Sequence, residues 1–421
     1  MMKIQAQGVS QKTTYLQEYN LFKKAYKVSQ AQIELPDLNL VISNMVFSSP
    51  SELIFPGDKQ YYAPKLCGST LNLNSPLFGG ALEQLIKLSD DAISQNKKFN
   101  YVLLRRKDQP KSSGLVFLFH GLNEKDWLKY LPWAKKILDL TGKTVILFPI
   151  AFHMDRAYPD WHNGRMMNEV AEQRKSLFQH IRESSFINAA MSTRLHFAPT
   201  RFFLSGLETY HDVIYLVHQI RSGQHTYIQE DASIDFFGYS AGAFLIQIIL
   251  MANREGLFSH SKGVLFCGGS LLSRMYLTSR YIMDSEAHQA IQDFYVDNFD
   301  RNLQTDPMLK VLFESTHKGG VFFRSMLSES YGSANQLRKQ RLEELKNQLF
   351  AISLDKDDIM PTHEIQASLI GLKGSVVIPI KTFDFEYNYS HVNPFPSLEK
   401  IENQVDQAFE ELFAYVAQCL I

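Results

Sequence analysis

Residues 234–244 read IDFFGYSAGAF, and this stretch decides the fold. Its first four residues, Ile234–Phe237, form a short apolar run typical of a buried strand, and a predicted helix begins at Ala241. Between strand and helix lies the pattern G-x-S-x-G, with Ser240 at its centre. So sharp a turn needs small residues around the serine, and two glycines and Ala241 supply them. We expect the Ser240 hydroxyl to project from the sheet beside a helix N-terminus, which favours negative charge. A glycine-bounded turn with an incidental serine is the alternative.

Outside this stretch, predicted strands alternate with predicted helices along the chain. The predicted strands are Leu38–Phe47, Tyr101–Arg105, Leu115–Phe119, Thr144–Phe148, Ile234–Phe237, Gly263–Cys267, Leu349–Leu354 and Val376–Ile380. The predicted helices are Glu124–Leu140, 206–222, Ala241–Ala252, 362–370 and a final helix with an apolar stripe from Ile401 to Val416. This alternation predicts an α/β fold with a mostly parallel central sheet and helices on both faces.

Length and composition are those of a folded globular protein. The 421 residues are 45% hydrophobic and 21% charged, which allows a large core without disulfides or metal ions. The formal net charge of −1 gives no electrostatic attraction to nucleic acid or to an anionic membrane, so we expect neither partner. No apolar run reaches the roughly 18 residues that a membrane-spanning helix requires.

Three cysteines, Cys67, Cys267 and Cys419, lie far apart and form no C-x-x-C pair. This spacing predicts neither a zinc site nor a disulfide framework. The first 20 residues contain no apolar segment of the kind found in secretory signals. Together these features predict a cytoplasmic protein in a reducing compartment. Because metalloprotease, dinucleotide-binding and Walker patterns are missing from the sequence, we expect no cofactor and no metal.

The segment GYSAG, residues 238–242, resembles the nucleophile elbow of the α/β-hydrolase superfamily, and the chain is similar to bacterial members of it. The resemblance implies that Ser240 is a nucleophile and that the backbone N–H of Ala241 helps to bind an oxyanion. It also implies a His-Gly turn after an earlier strand, and residues 119–123, FHGLN, fit. The second oxyanion donor would then be the backbone N–H of Leu122. By the same resemblance His120 is a structural histidine beside the oxyanion hole.

The superfamily also places an acid after a later strand and a histidine after the last strand. Residues 350–361, FAISLDKDDIMP, resemble the acid segment, and alignment on its proline selects Asp357. Asp355 and Asp358 are close enough to replace it, and a solvated acidic loop is a further alternative. Residues 389–395, YSHVNPF, resemble the histidine loop and assign His391 as the base.

Each of these three residue types has a chemical reason to be present. A serine hydroxyl is a poor nucleophile at neutral pH and needs a base to accept its proton. Histidine titrates near neutral pH and can pass the proton on to a leaving group. A carboxylate fixes the imidazole tautomer and stabilises the imidazolium without accepting the proton itself.

The resemblance covers only part of the chain and so divides it. The predicted hydrolase core comprises residues 96–150, 206–270 and 346–421. Residues 1–95 are predicted to form an N-terminal extension packed on the core. Residues 151–205 and 271–345 interrupt the alternation and are predicted to be cap or lid insertions. Aromatic and methionine side chains of 271–345 line either an apolar substrate cleft or the small core of the cap itself.

Four further side chains are candidate substrate contacts. His120 and Tyr239 flank the predicted oxyanion hole and nucleophile. His153 and Arg156 follow the strand Thr144–Phe148 at the edge of the sheet where open α/β folds bind ligands. The alternative for His153, Asp155 and Arg156 is a local ion pair.

The sequence thus predicts a serine hydrolase that cleaves an ester or related acyl bond of a small-molecule substrate through an acyl-enzyme on Ser240. A carboxylic ester is the expected substrate because water is always available to deacylate the serine. Two alternatives stay open: an acyltransferase with the same residues, and a catalytically silent hydrolase fold that serves as a binding or scaffold protein. The oligomeric state is left open.

Overall fold

The computed structural model of the protein describes residues 13–50, 65–66, 69–70, 79–313 and 318–421. Nine of its strands form one central sheet, and β3 (Lys65–Leu66) and β4 (Ser69–Thr70) form a small separate ribbon. The nine strands are β1 Gln32–Leu35, β2 Leu40–Ser48, β5 Lys98–Arg106, β6 Ser112–Phe119, β7 Thr144–Leu147, β8 Ile228–Tyr239, β9 Gly263–Phe266, β10 Leu349–Leu354 and β11 Ile380–Phe383. Each predicted strand therefore has an observed counterpart, and the last one lies a few residues later than predicted.

The strand order is β1-β2-β5-β7-β6-β8-β9-β10-β11. Strands β7, β6, β8, β9, β10 and β11 run parallel to one another, whereas the pairs β1–β2, β2–β5 and β5–β7 are antiparallel. Because parallel strands end at the same edge of a sheet, the loops after β6, β8, β10 and β11 meet there. This topology, with a serine turn after β8, confirms the predicted α/β-hydrolase fold.

Helices cover both faces of the sheet. They are α1 Tyr15–Ala25, α2 Gly80–Lys87, α3 Ser94–Lys97, α4 Tyr130–Thr141, α5 Gly164–Leu177, α6 Ala189–Phe197, α7 Thr200–Arg221, α8 Ala241–Ala252, α9 Ser285–Gln292, α10 Phe299–Thr305, α11 Pro307–Leu312, α12 Lys318–Ser325, α13 Gly332–Glu344, α14 Thr362–Ser368 and α15 Glu402–Leu420. Alternate residues of each strand face opposite ways. Phe117 accordingly belongs to the buried cluster that includes side chains of α7, α8 and α12, whereas Leu118 belongs to the cluster that includes side chains of α1, α4 and α15.

Two predicted elements differ from the structure. The helix predicted from Glu124 begins only at Tyr130, because residues 120–129 form a loop that reaches over the end of the sheet. The position predicted for the last strand, Val376–Ile380, was wrong, since β11 comprises Ile380–Phe383. Val377 instead donates its backbone N–H to the Leu369 carbonyl oxygen at 3.1 Å. The apolar pattern therefore marked a local turn, while the edge strand itself carries exposed polar side chains.

The described part of the two predicted insertions is helical, and the two segments touch. Helix α6 packs against α9. Arg174 of α5 forms a fully buried bidentate ion pair with Asp284, the N-cap of α9, at 2.7 and 2.8 Å. Residues 32–48 supply β1 and β2, so the segment before residue 95 extends the central sheet. The division into extension, core and caps stays a prediction.

Nowhere in the residues described by the structure is there a helix with the length and apolar character needed to cross a membrane.

Candidate active site

Ser240 stands at the turn between β8 and α8. Its backbone has φ 56° and ψ −114°, a conformation that costs a non-glycine residue about 1–3 kcal/mol. Neighbouring glycines make the turn possible. A Cβ on Gly238 would lie 2.5 Å from the carbonyl carbon of Gly242, and a Cβ on Gly242 would lie 2.5 Å from the carbonyl oxygen of Phe119. The Ser240 N–H donates to the Phe266 carbonyl oxygen at 2.9 Å, which ties the turn to β9.

A chain of two hydrogen bonds links Ser240, His391 and Asp357. The distance from Ser240 Oγ to His391 Nε2 is 2.8 Å, and that from His391 Nδ1 to Asp357 Oδ2 is also 2.8 Å. A carboxylate can only accept, so the His391 proton lies on Nδ1 and leaves Nε2 free to accept from the serine hydroxyl. All three side chains are buried, with 2–4% of their surface exposed, which excludes bulk water from the chain.

The structure distinguishes Asp357 from its acidic neighbours. Asp357 follows β10, and its Oδ1 accepts the backbone N–H groups of Ile359 and Met360, each at 2.9 Å. These bonds fix the carboxylate so that Oδ2 faces His391. Asp355 and Asp358 are exposed on the same loop. Of the three carboxylates, the structure brings only Asp357 to the histidine.

Two side chains hold the His391 loop, which connects β11 to α15. The Tyr239 hydroxyl donates to the backbone carbonyl oxygen of His391, and the two rings stack with centroids 5.5 Å apart. The Lys129 ammonium donates to the Val392 carbonyl oxygen at 3.3 Å and lies over the Tyr239 ring. Tyr239 is 1% exposed. The geometry therefore gives Tyr239 a partner in the histidine loop, instead of the substrate contact predicted for it.

The loop after β6 lies directly against the serine turn. A Cβ on Gly121 would come within 3.4 Å of Ser240 Cβ and 3.1 Å of the Tyr239 ring, so only glycine fits there without displacement. The Gly121 N–H donates to the Tyr130 hydroxyl at 3.0 Å, which anchors the loop to α4. Among the described residues, the N–H groups of Leu122 and Ala241 have no hydrogen-bond partner. Both groups remain available to an oxygen beside Ser240.

His120 uses both ring nitrogens to hold backbone. Its Nδ1 donates to the Gly121 carbonyl oxygen at 2.7 Å, and its Nε2 accepts the Ile150 N–H at 2.9 Å. Burial, followed by the neighbouring His153, holds the pKa of His120 well below the ordinary histidine value. His120 is therefore a neutral clamp between the loops after β6 and β7, and the substrate contact predicted for it finds no free nitrogen here.

His153 and Arg156 occupy different environments. His153 lines a cavity beside the loop after β6. Arg156 is fully buried and pairs with Glu208 at 3.0 Å and Asp212 at 2.8 Å, both on α7. Arg156 is therefore engaged in ion pairs, as the alternative to a substrate contact predicted. The pairs are not local, however, because both partners lie about 50 residues later in the sequence. Burial raises the pKa of Asp155 to about 6.

One cluster in the described part of the chain has the composition of a metal site. Ligand atoms of Cys267, Asp357 and His391 lie within 4.8 Å of one another. The carboxylate and the imidazole, however, are already joined by a direct hydrogen bond. Burial, and then the Asp357 charge, raises the pKa of the Cys267 thiol well above its ordinary value, and a neutral thiol is a poor metal ligand. The cluster fits a hydrogen-bonded acid–base pair better than a metal centre.

Sequence reasoning missed Cys267, Tyr130 and Lys129 as neighbours of the site. Cys267 directly follows the apolar strand β9. Lys129 and Tyr130 were predicted to lie inside a helix from Glu124, but they stand at the N-terminus of the observed helix. The apolar side chains of 271–345 that were predicted to form either a cleft or a core are largely part of the core: Met275, Met283, Tyr295, Phe299, Phe322, Phe323 and Met326 are buried. Tyr276 and Tyr281 are exposed. Cys67 lies outside the described residues.

Solved structures with a similar arrangement include esterases and a peptidase. Carboxyl esterase 2 of the fungus Tuber melanosporum is 11% identical, with a TM-score of 0.42 over 77% of this chain and 82% of that chain. An esterase of Pyrobaculum calidifontis is 12% identical, with a TM-score of 0.39 over 76% of this chain and 80% of that one. A puromycin-hydrolyzing peptidase of Mycobacterium tuberculosis is 13% identical, with a TM-score of 0.37 over 76% and 37%. Likenesses at this level do not transfer an activity.

No curated protein matches the sequence. The model of one protein family does, and its match runs from residue 13 to residue 420, across almost the entire chain. That family is described as a family of unknown function, DUF6051, and the protein belongs to it.

Proposed function

We propose that the protein is a serine hydrolase that cleaves an ester or related acyl bond through an acyl-enzyme on Ser240. The observation that carries the proposal is the hydrogen-bond chain from Ser240 through His391 to Asp357, with both distances at 2.8 Å. A carboxylic ester is the proposed substrate, since water alone completes its turnover. The similarity to bacterial members of the superfamily stays a prediction.

In the proposed acylation step, the Ser240 Oγ–H proton passes to His391 Nε2 as Oγ bonds to the carbonyl carbon of the substrate. The π electrons of the carbonyl move onto its oxygen and form a tetrahedral oxyanion. His391 then gives its proton to the leaving oxygen as the bond to the acyl carbon breaks. The products of this half-reaction are an alcohol and a Ser240 ester.

Deacylation repeats these steps with water in place of the serine hydroxyl. His391 takes a proton from water, the hydroxide oxygen bonds to the acyl carbon, and the proton returns to Ser240 Oγ as the ester bond breaks. Asp357 stays ionised throughout and balances the charge of the imidazolium.

The N–H groups of Leu122 and Ala241 are the proposed oxyanion donors. Gly121 brings the first of them against Ser240, and the second lies at the start of α8. A fixed donor of this kind contributes about 3 kcal/mol to the stability of the transition state. Both N–H groups lack partners among the described residues, so no internal hydrogen bond has to break first.

The proposal is tested by rapid mixing of the protein with an activated aryl acetate. We expect a burst of one equivalent of phenol, followed by steady turnover, and transient acetylation of the protein. Ser240→Ala should show neither burst nor turnover while it retains the circular dichroism spectrum of the wild type. Steady turnover by Ser240→Ala at the wild-type rate would contradict the proposal.

A further inference from the structure

A small cavity adjoins the proposed oxyanion hole. Its volume is about 30 Å³, and its wall includes Leu122, Asn123, Phe152, His153, Trp161 and Phe202. Leu122 and Asn123 follow Gly121, whose backbone lies against Ser240. A cavity of this size holds about two water-sized groups. It is therefore large enough for the short tail of an acyl group on Ser240.

Two buried hydrogen-bond acceptors in this wall have no partner among the described residues. His153 Nδ1 lies 3.0 Å from the Ala151 carbonyl oxygen, which can only accept, so the proton is on Nδ1 and Nε2 is an unpaired acceptor. Asn123 Nδ2 donates to the carbonyl oxygens of Ile187 at 3.1 Å and Tyr281 at 2.7 Å. These bonds fix the amide and leave Asn123 Oδ1 unpaired. Buried polar atoms without partners are uncommon and call for a ligand or water.

The same wall also carries an unpaired donor, Trp161 Nε1. The indole ring is held in place by the Arg194 guanidinium, which lies 4.4 Å from the ring centroid. A group that satisfies this wall must therefore both donate and accept a hydrogen bond. A hydroxyl does both, whereas a methyl group does neither.

Charge around the cavity selects against an ammonium group. Lys125 lines the wall, and burial lowers its pKa to about 8, so it is still mostly protonated at neutral pH. Arg194 and Arg201 also line the cavity, and both form ion pairs with the carboxylate of Asp90. Glu124 lines the wall too, but it forms an ion pair with a lysine outside it. A carboxylate, in turn, offers no donor to the two unpaired acceptors.

We propose that the cavity receives the acyl chain of a short hydroxy acid, so that the preferred substrates are esters of small hydroxyacyl groups. The substrate hydroxyl donates to His153 Nε2 or Asn123 Oδ1 and accepts from Trp161 Nε1. This assignment rests on the proposed function, because it places the acyl carbon on Ser240. His153 acts here as a specificity residue and takes no part in proton transfer to Ser240.

Three phenyl esters of matched size test the proposal: glycolate, propionate, in which a methyl replaces the hydroxyl, and glycinate, which carries an ammonium group. Each kcat/KM is divided by the rate of uncatalysed hydrolysis of the same ester. We expect glycolate to exceed propionate at least about tenfold, and glycinate to fall below both. His153→Phe should bring the glycolate-to-propionate ratio close to one while propionate turnover changes less.

A matched control and a second variant complete the experiment. His162→Phe makes the same substitution at an exposed histidine outside the cavity wall and should keep the wild-type ratio. Trp161→Phe removes the indole N–H together with part of the ring and should lower the ratio several-fold, which retains the test if His153→Phe does not fold. Equal corrected rates for glycolate and propionate in the wild type, or an unchanged ratio in both cavity variants, would overturn the hydroxyacyl assignment alone. If no ester turns over and a fluorophosphonate leaves Ser240 unlabelled, the proposed function fails with it.

Discussion

Two loops at the same edge of the sheet each carry a buried histidine. The two histidines differ in the kind of group to which their ring nitrogens are hydrogen-bonded. In the loop after β11, His391 bonds to two side chains, Ser240 Oγ and Asp357 Oδ2. In the loop after β6, His120 bonds to two backbone groups, the Gly121 carbonyl and the Ile150 N–H. A proton on His391 can pass to an atom that reacts, whereas the bonds of His120 hold the proton in one place. What separates a base from a structural clamp is thus the partners of the ring, since both rings are almost completely buried.

The strongest test of this difference is to replace each of the two histidines with glutamine. We expect His391→Gln to lower kcat about 10⁴-fold or more, because His391 Nε2 is the proposed acceptor of the serine proton and an amide cannot replace it. His120→Gln should instead reduce the free energy of unfolding by about 1–3 kcal/mol, because it leaves a buried backbone group without its partner. Ester turnover gives kcat, and urea denaturation gives the free energy of unfolding, for both variants. Similar losses of kcat at both positions would remove the distinction.

Asp357→Asn tests the acid. The amide can keep the hydrogen bonds from Ile359 and Met360, but an N–H in place of Oδ2 can no longer accept from His391 Nδ1 and favours the wrong tautomer. We expect kcat to fall about 10⁴-fold. Asp355→Asn and Asp358→Asn are the matched controls, since both side chains are exposed, and should stay within about twofold of wild type. A large loss in either control would reassign the acid.

The loop after β6 and the serine turn depend on a close approach of their backbones, and a glycine substitution measures it. A Cβ on Gly242 would lie 2.5 Å from the carbonyl oxygen of Phe119, the residue before His120. Gly242→Ala should destabilise the fold by about 3 kcal/mol or more, because backbone must move. At Gly206, inside α7, a Cβ would meet no atom within 4 Å. Gly206→Ala should therefore stabilise the protein by about 0.5–1 kcal/mol in the same urea titration.

A pH dependence of stability is also expected from the buried histidines. Burial lowers the pKa of His153 to about 4, of His196 to about 3 and of His225 to about 4, and holds that of His120 well below the ordinary value. Between pH 6.5 and about 4 the unfolded chain binds protons that the folded protein does not. Stability therefore falls as the pH drops through this window, by up to about 1.4 kcal/mol per pH unit for each histidine.

His196→Phe isolates one of these contributions. His196 contacts the rings of Phe178 and Phe197, with both centroid distances at 4.9 Å, so an aromatic replacement keeps these contacts but loses the 3.5 Å hydrogen bond between His196 Nδ1 and Arg174 Nη1. The plot of unfolding free energy against pH should be shallower for this variant than for the wild type between pH 6.5 and 4. Parallel plots would show that His196 titrates normally in the folded state.

Sequence reasoning agreed with the structure where a local conformation depends on a few adjacent residues. The turn GYSAG needs glycines at fixed positions because backbone atoms lie 2.5 Å from where their Cβ atoms would be, and such a requirement can be read from the sequence itself. The acid and histidine loops follow buried strands whose apolar runs mark their ends. Asp357 could be chosen over Asp355 only by resemblance, because burial decides between them and the sequence does not display it.

The failures share the opposite cause, since each depends on contacts between distant residues. Arg156 forms ion pairs with Glu208 and Asp212, which lie on helix α7. The start of α4 moves to Tyr130 because residues 120–129 are held as a loop against Ser240 and Tyr239. At β11 the strand lies at the edge of the sheet and exposes Lys381 and Thr382, so its composition is less apolar than that of the turn before it.

The most direct test of the central claim is intact-mass measurement after treatment with a fluorophosphonate, for the wild type, Ser240→Ala and His391→Gln in parallel. An activated serine at position 240 predicts one adduct on the wild type, none on Ser240→Ala and labelling slowed by orders of magnitude in His391→Gln. An adduct on Ser240→Ala, or equal labelling rates for His391→Gln and wild type, would contradict the account of Ser240 as a nucleophile activated by His391.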